Sequence, residues 1–166
     1  MTKNRLIAAV FATSLVAAVA ACGGKKAEPP PAKPADGSPV AFETTGVTPG
    51  EDHKGAVAVR VYNFSDKPIA QYMIKLRYHD AGGALLKVKP GTPFEADFDH
   101  WSMSGKKYKC DPASWCAFDL DHLDVPPGAA KADVVATDVY ALADDGMHID
   151  DKSLFHADAP SWPAGK

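Results

Sequence analysis

The sequence predicts an all-β protein: an immunoglobulin-like antiparallel β-sandwich of about seven strands, preceded by a signal peptide and a disordered linker. Residues 69–79 alternate apolar and polar side chains, which is the pattern of a half-buried strand. Short runs of this kind are separated by Gly, Pro, Asn and Asp turn signals. No segment keeps an apolar i, i+3, i+4 pattern over three turns, so no long helix is predicted.

The composition limits the class of protein. The chain has 166 residues, of which 46% are hydrophobic and 23% charged, and its net charge is −3. This length allows one ordinary domain with short extensions. The composition excludes collagen-like, fully disordered and polytopic membrane proteins. The slight acidic excess argues against a nucleic-acid partner, which would require a basic face.

Residues 1–21 have the layout of a secretory signal peptide. Lys3 and Arg5 form a basic start, and the following stretch to Ala21 is uncharged and dominated by apolar and small side chains. This stretch is shorter than the ~20 residues that a helix needs to cross the hydrocarbon core of a membrane. From this layout alone, a cleavable signal with a cysteine nearby by chance is an alternative.

The segment ends in Val19-Ala20-Ala21-Cys22, which resembles the lipobox of bacterial lipoproteins. The resemblance implies that Cys22 carries a diacylglyceryl group, that the signal is cut before it, and that the new amino group is acylated, commonly with palmitate. Two or three acyl chains hold a protein on a membrane essentially permanently. The residue after Cys22 is Gly23, and the absence of Asp there favours the outer membrane, on its periplasmic or surface face.

Residues 22–39 read as the lipidated cysteine followed by a tether. Five of residues 23–39 are Pro and three are Gly, and none is an aliphatic residue larger than Ala. Such a segment cannot bury enough surface to offset the entropy of ordering it. Its prolines favour polyproline II, and at about 3.1 Å per residue the extended tether reaches on the order of 50 Å.

Residues 40–166 form the predicted sandwich domain, which carries 13 basic and 19 acidic side chains and a net charge of −6. Turn signals at 65–68, 80–83 and 144–146 separate runs with period-two alternation. The predicted strands, in chain order, are 40–46, 57–64, 69–79, 84–89, 132–142, 147–150 and 153–155.

A second resemblance covers roughly residues 56–91 and 125–142. The run Val59-Arg60-Val61-Tyr62-Asn63-Phe64-Ser65, followed by Tyr78-His79-Asp80 and a later Pro126-Pro127-Gly128, is similar to the FxLYD-type sandwich domain of envelope lipoproteins. His79 departs from the family pattern, which has an aromatic residue there. The resemblance implies a sandwich module without catalytic activity.

Residues 92–125 are longer than a sandwich connection requires, and we interpret them as an insert that contains a disulfide. Because lipidation would use the thiol of Cys22, the exported domain keeps an even pair, Cys110 and Cys116. A bond between them closes a short loop and contributes about 2–2.5 kcal/mol in the chain-entropy model. Their spacing is wider than the C-x-x-C of redox-active pairs, so a structural role is favoured.

The same insert is rich in aromatic residues, and these admit two interpretations. The rings can cover the sandwich core, since large aromatic side chains are mostly buried. Alternatively, Trp101, Tyr108 and Trp115 form an exposed binding surface for an envelope protein or a glycan, since amphipathic rings dominate binding hot spots.

Motifs for catalysis are missing from the sequence. It has no G-x-S-x-G elbow, no Gly-rich phosphate loop, no H-E-x-x-H pair and no EF-hand loop. We therefore predict a non-enzymatic, membrane-anchored envelope lipoprotein, without cofactor or metal, that binds or scaffolds another envelope component. The alternative is a periplasmic metal-handling lipoprotein that binds copper or calcium through His100, Met103, His122 and the acidic loops.

Overall fold

The computed structural model describes residues 28–163, which fold into eight β-strands and one short 3₁₀ helix. The signal peptide and Cys22 lie outside the described residues. The strands are β1 Val40–Thr48, β2 Gly50–Asn63, β3 Ile69–His79, β4 Leu85–Leu86, β5 Asp99–Ser104, β6 Trp115–Val125, β7 Lys131–Leu142 and β8 Ile149–His156, with the 3₁₀ helix at Lys106–Tyr108.

The strands form two antiparallel sheets, which confirms the predicted all-β sandwich. The smaller sheet has the order β1-β2-β6, and the larger has the order β4-β3-β7-β8, with β5 also paired to β3. Consecutive strands β2 and β3 lie in different sheets, as do β6 and β7. This arrangement matches the A-B-E and C-F-G strands of the immunoglobulin fold.

The core lies between the two sheets and is built by period-two alternation. In β2, the side chains of Val57, Val59 and Val61 are almost fully buried. In β3, those of Ile74 and Leu76 are buried, whereas the alternate positions are half-buried or exposed. Each strand thus turns one apolar face inward, because successive side chains of a strand point to opposite faces.

Several strands differ in extent from the prediction. The expected strand 84–89 is limited to Leu85–Leu86, and the two short strands expected at 147–150 and 153–155 are one strand, β8. β2 begins at Gly50, seven residues before the predicted start at Val57. The chain at 50–55 is polar and shows no alternation, so pairing with a neighbouring strand decides its conformation there.

Residues 92–125 also differ from expectation, because they supply two strands of the sandwich itself. β5 pairs with β3 in the larger sheet, and β6 pairs with β2 in the smaller one. In β6, Phe118 packs against the core and Leu120 is fully buried, whereas Asp119 and Asp121 are exposed. Because acidic residues flank Leu120 in this strand, its sequence pattern fits a solvated loop as well as a strand.

The described residues just before β1 and after β8 lie side by side. The backbone N–H of Ser161 donates to Asp36 Oδ2 at 3.4 Å. The indole of Trp162 lies over the guanidinium of Arg77, 4.1 Å from its Cζ to the ring centroid. No helix among residues 28–163 is long and apolar enough to cross a membrane.

Candidate binding surface

The structure joins Cys110 and Cys116 in a disulfide, with their Cα atoms 5.7 Å apart. Cys110 is fully buried and its backbone exchanges two hydrogen bonds with Ile69, the first residue of β3. Cys116 lies on β6, opposite Val61 of β2. The disulfide therefore links β6, in the smaller sheet, to the segment around Cys110, which is hydrogen-bonded to the larger sheet. This is a structural role.

The three aromatic residues predicted as a binding surface do not share one. Trp101 lies on β5 and packs against the core, on the same side of that strand as the buried Met103. Tyr108 lies on the 3₁₀ helix and also packs against the core, with its ring edge-to-face to Phe118 at 5.5 Å. Only Trp115 belongs to an outward-facing cluster.

That cluster covers the outer face of the smaller sheet, and we call it the aromatic face: Arg60, Tyr62, Phe64 and Trp115. Alternation in β2 turns Arg60 and Tyr62 to the side opposite the inward Val59 and Val61, although Tyr62 is itself buried, with 8% of its surface exposed. The β2–β6 register places Tyr62 opposite Trp115, and their ring centroids are 5.3 Å apart. The centroid of Phe64 lies 4.7 Å from that of Tyr62.

Arg60 completes the aromatic face and carries its charge. Its guanidinium Cζ lies 4.3 Å from the centroid of the Trp115 ring, in cation–π geometry. Its two terminal nitrogens donate hydrogen bonds to the carboxylates of Glu43 and Glu28. These bonds, first to Glu43 and then to Glu28, raise the pKa of Arg60 above its usual value. The guanidinium is thus held by the Trp115 ring and by two carboxylates.

The tether contacts the aromatic face. The indole Nε1–H of Trp115 donates to the carbonyl oxygen of Pro29 at 3.3 Å. Arg60 Nη1 donates to Glu28 Oε2 at 2.7 Å. Sequence reasoning missed Arg60 and Tyr62, although their alternation with the inward Val59 and Val61 of β2 places them on the opposite face.

A cleft of about 450 Å³ lies at the other end of the sandwich, between the β1–β2 side and the residues after β6. Its centre is Asp124, which accepts from the backbone N–H of His53 at 2.9 Å and from Lys89 Nζ at 3.1 Å. The lining residues are Asp52, His53, Lys89, Pro90, Thr92, Asp124, Val125, Pro126 and Pro127.

Asp124 is paired with two neighbours in this cleft, His53 and Lys89. Burial acts to raise the pKa of Asp124, but the N–H of His53 and the ammonium of Lys89 outweigh it, so the pKa lies below its usual value. Asp52, His53 and Lys89 all have positive φ, between 51° and 58°. Asp124 is thus held as an ionised carboxylate.

The residues considered for a metal site are separated. His100 is exposed and Met103 is fully buried, because an offset of three along β5 places them on opposite faces. His122 lies on β6, in the other sheet. Among residues 28–163 no group of three or more His, Cys, Asp or Glu side chains is close enough to hold a metal ion.

Comparison with known proteins gives little information about the function of these residues. No family model and no curated protein matches the chain. Among solved structures, it is similar to the trimeric lipoprotein SadB of Salmonella enterica, with 13% identity and a TM-score of 0.38. The match covers 71% of this chain and 52% of SadB, so the chain spans about half the length of that structure. Functional assignment therefore depends on this chain's own residues.

Proposed function

We propose that this protein is a non-enzymatic lipoprotein of the bacterial envelope, anchored through Cys22 and presenting a β-sandwich that binds or scaffolds another envelope component. The observation that carries the proposal is the sequence Val19-Ala20-Ala21-Cys22 at the end of a charged, then apolar, leader. A separate sandwich begins at Val40, which leaves residues 23–39 as the connection between anchor and domain.

The anchor accounts for the three-part organisation of the chain. Lipid on Cys22 would hold the protein to the outer membrane without a spanning segment, since several acyl chains together bind almost irreversibly. A Pro-rich connection keeps the sandwich off the lipid surface. The disulfide fits an oxidising compartment such as the periplasm or the cell surface.

The binding role is supported by the aromatic face. Tyr, Trp and Arg are the residue types most enriched at binding hot spots, and here they are adjacent on one rigid sheet. The tilted and edge-to-face rings beside the Arg60 guanidinium suit an extended peptide or a glycan of the envelope when the tether does not cover them.

Replacing Cys22 with Ser tests the anchor. Wild-type protein should sediment with membranes, enter the detergent phase of Triton X-114 and incorporate labelled palmitate. Cys22→Ser should lose the label and be retained in the membrane at least tenfold less, unless its uncleaved leader holds it there, which its larger mass on a gel would reveal. Ala27→Ser, a change of similar size in the tether, is the matched control. Palmitate labelling that persists in Cys22→Ser contradicts the proposal.

A further inference from the structure

The tether does not leave the sandwich directly but doubles back over it. The carbonyl of Pro39 accepts from the N–H of Phe64 at 2.8 Å, so the end of the tether runs beside the end of β2. A turn follows in which the N–H of Gly37 donates to the carbonyl of Pro34 at 3.2 Å. Gly37 has φ of 82°, which an L side chain rarely adopts. Beyond this turn the chain runs back to bring Glu28 and Pro29 to the aromatic face.

The contacts there match what a proline-rich segment can offer. Proline has no N–H, so such a segment presents carbonyl acceptors along an extended backbone. Aromatic grooves recognise these segments by stacking and by donors aimed at the carbonyls. Trp115 supplies such a donor to Pro29 at 3.3 Å. Within residues 28–31, Pro31 is half-buried, whereas Glu28, Pro29 and Pro30 are exposed.

Arg60 adds recognition of charge beside the prolines. It is held over the Trp115 ring and by Glu43, and its other terminal nitrogen, Nη1, reaches Glu28. Because the guanidinium is already oriented, little further ordering is required when the second carboxylate arrives. The face therefore binds an acidic side chain and the carbonyl of the next residue, which here belong to Glu28 and Pro29.

We propose that the aromatic face is a docking site for an extended acidic–proline segment, and that its occupant is the chain's own tether, residues 28–31. Docking in the same chain is favoured over docking of another molecule, because a linker of this length gives an effective concentration in the millimolar range. One hydrogen bond and one half-exposed ion pair make the docking reversible.

Docking changes how far the sandwich can move from the membrane, a consequence that rests on the proposed lipid anchor at Cys22. With residues 28–39 all released from the sandwich, the tether extends on the order of 50 Å. With Glu28 docked, the six residues from Cys22 to Ala27 span at most about 20 Å between the anchor and the sandwich. The aromatic face thus determines whether the sandwich is held close to the membrane or extended away from it.

Photo-crosslinking of the full chain in intact cells tests this docking. The photoreactive amino acid p-benzoylphenylalanine is placed at Pro30, which is exposed, and irradiated products are mapped by mass spectrometry. We expect cross-links within one chain, to peptides that contain residues 60–64 or 115–117. The same reagent at Asp158, 96% exposed in the C-terminal segment, should give none to these peptides.

Variants of the face distinguish docking from simple proximity. Arg60→Glu and Trp115→Ala should each lower the cross-link yield about three- to tenfold, the range expected for one ion pair or hydrogen bond. Lys131→Glu, the same charge reversal at an exposed position of the larger sheet, should leave the yield unchanged. The double variant with Arg60→Glu and Glu28→Arg should restore the cross-link yield. The arginine introduced at position 28 then faces two carboxylates, that of Glu43 and the one introduced at position 60. Near-UV circular dichroism of each purified variant reports folding.

The possible results separate the alternatives. Yields that stay the same in folded Arg60→Glu and Trp115→Ala overturn the proposal. Cross-linked products with twice the mass of the chain, or products that contain another protein, overturn the proposal, because they show that the aromatic face holds a different occupant. Repeating the experiment with Cys22→Ser separates the two proposals: docking should persist without the lipid, whereas failure of anchoring alone leaves the docking intact.

Discussion

The side-chain amide of Asn63 donates a hydrogen bond to the carbonyl oxygen of Cys110 at 3.0 Å, 47 positions away in the sequence. The same nitrogen donates to the carbonyl of Lys67 at 2.8 Å, and Asn63 Oδ1 accepts from the N–H and the hydroxyl of Ser65. Asn63 is fully buried. One amide thus holds the turn between β2 and β3 to the segment that leads to β6.

Replacing Asn63 with Ala should therefore lower the free energy of unfolding by about 2–4 kcal/mol, because it leaves several buried backbone groups without partners. Chemical denaturation checks this. Ser65→Ala, which removes only one member of the network, should cost about 1 kcal/mol. A change below about 0.5 kcal/mol in Asn63→Ala would show that the surrounding groups find other partners.

Removing the disulfide with Cys110→Ala and Cys116→Ala should lower the free energy of unfolding by about 2 kcal/mol, because the loop it closes is short. The midpoint of denaturation in the wild type should fall when dithiothreitol is added, and that of the double variant should not move. Equal sensitivity of both proteins to the reductant would contradict a stabilising role for this bond.

In contrast to the hydrogen-bonded amide of Asn63, the hydroxyl of Tyr72 is a buried polar group without a hydrogen-bond partner among the described residues. Its side chain is fully buried. Burial also raises the pKa of Tyr72 above its usual range. Tyr72→Phe should raise the free energy of unfolding by about 1 kcal/mol, since an unpaired buried hydroxyl costs about 1–3 kcal/mol.

The matched control for this change is Tyr108→Phe, whose ring is only partly buried, and its effect should stay within about 0.5 kcal/mol. Thermal denaturation of the three proteins gives the comparison. A loss of more than about 1 kcal/mol in Tyr72→Phe would mean that the hydroxyl has a partner.

His156 makes the stability depend on pH. Its Nδ1 lies 2.6 Å from Asp138 Oδ1 and its Nε2 lies 3.2 Å from Asp158 Oδ1. The hydrogen bond to Asp138, and then that to Asp158, raises the pKa of His156 above its ordinary value of 6.5. The charged imidazole therefore stabilises the fold fully below this ordinary value, and its contribution is lost as the pH rises through the raised one.

The melting temperature of His156→Gln should accordingly fall below that of the wild type at about pH 5.5, and the difference should shrink toward about pH 9. Taking the difference between the two proteins removes the contribution of His148, whose pKa is raised in the same direction by Asp145. His122→Gln is the control, because His122 is exposed and forms no ion pair within residues 28–163. A difference that grows with pH would refute the assignment.

The sequence was sufficient to predict the strands whose two faces differ. In β3 every inward position is apolar and most outward positions are polar, so the alternation alone identified the strand and its buried face. β6 was not predicted because only its second half alternates clearly, with Leu120 between Asp119 and Asp121, a pattern that also fits a solvated loop. Only pairing with β2 separates the two possibilities.

The aromatic face could be predicted only in part, for a related reason. Trp115 was identified by its residue type, but its neighbours depend on the register that sets Tyr62 opposite Trp115. Composition predicts a free tether, since residues 23–39 bury little surface of their own. Its contact with Arg60 and Trp115 joins positions far apart in the chain, which no local pattern encodes.

The meeting of Asp36 and Ser161 makes the sandwich a candidate for circular permutation. Because Asp36, shortly before β1, and Ser161, after β8, lie within hydrogen-bond distance, a short flexible linker from Pro163 to Pro34 would join the two sides without displacing a strand. New ends could then open at the exposed Asp144–Asp145 turn between β7 and β8. Such a permutant would keep both sheets while releasing the aromatic face from its neighbouring tether.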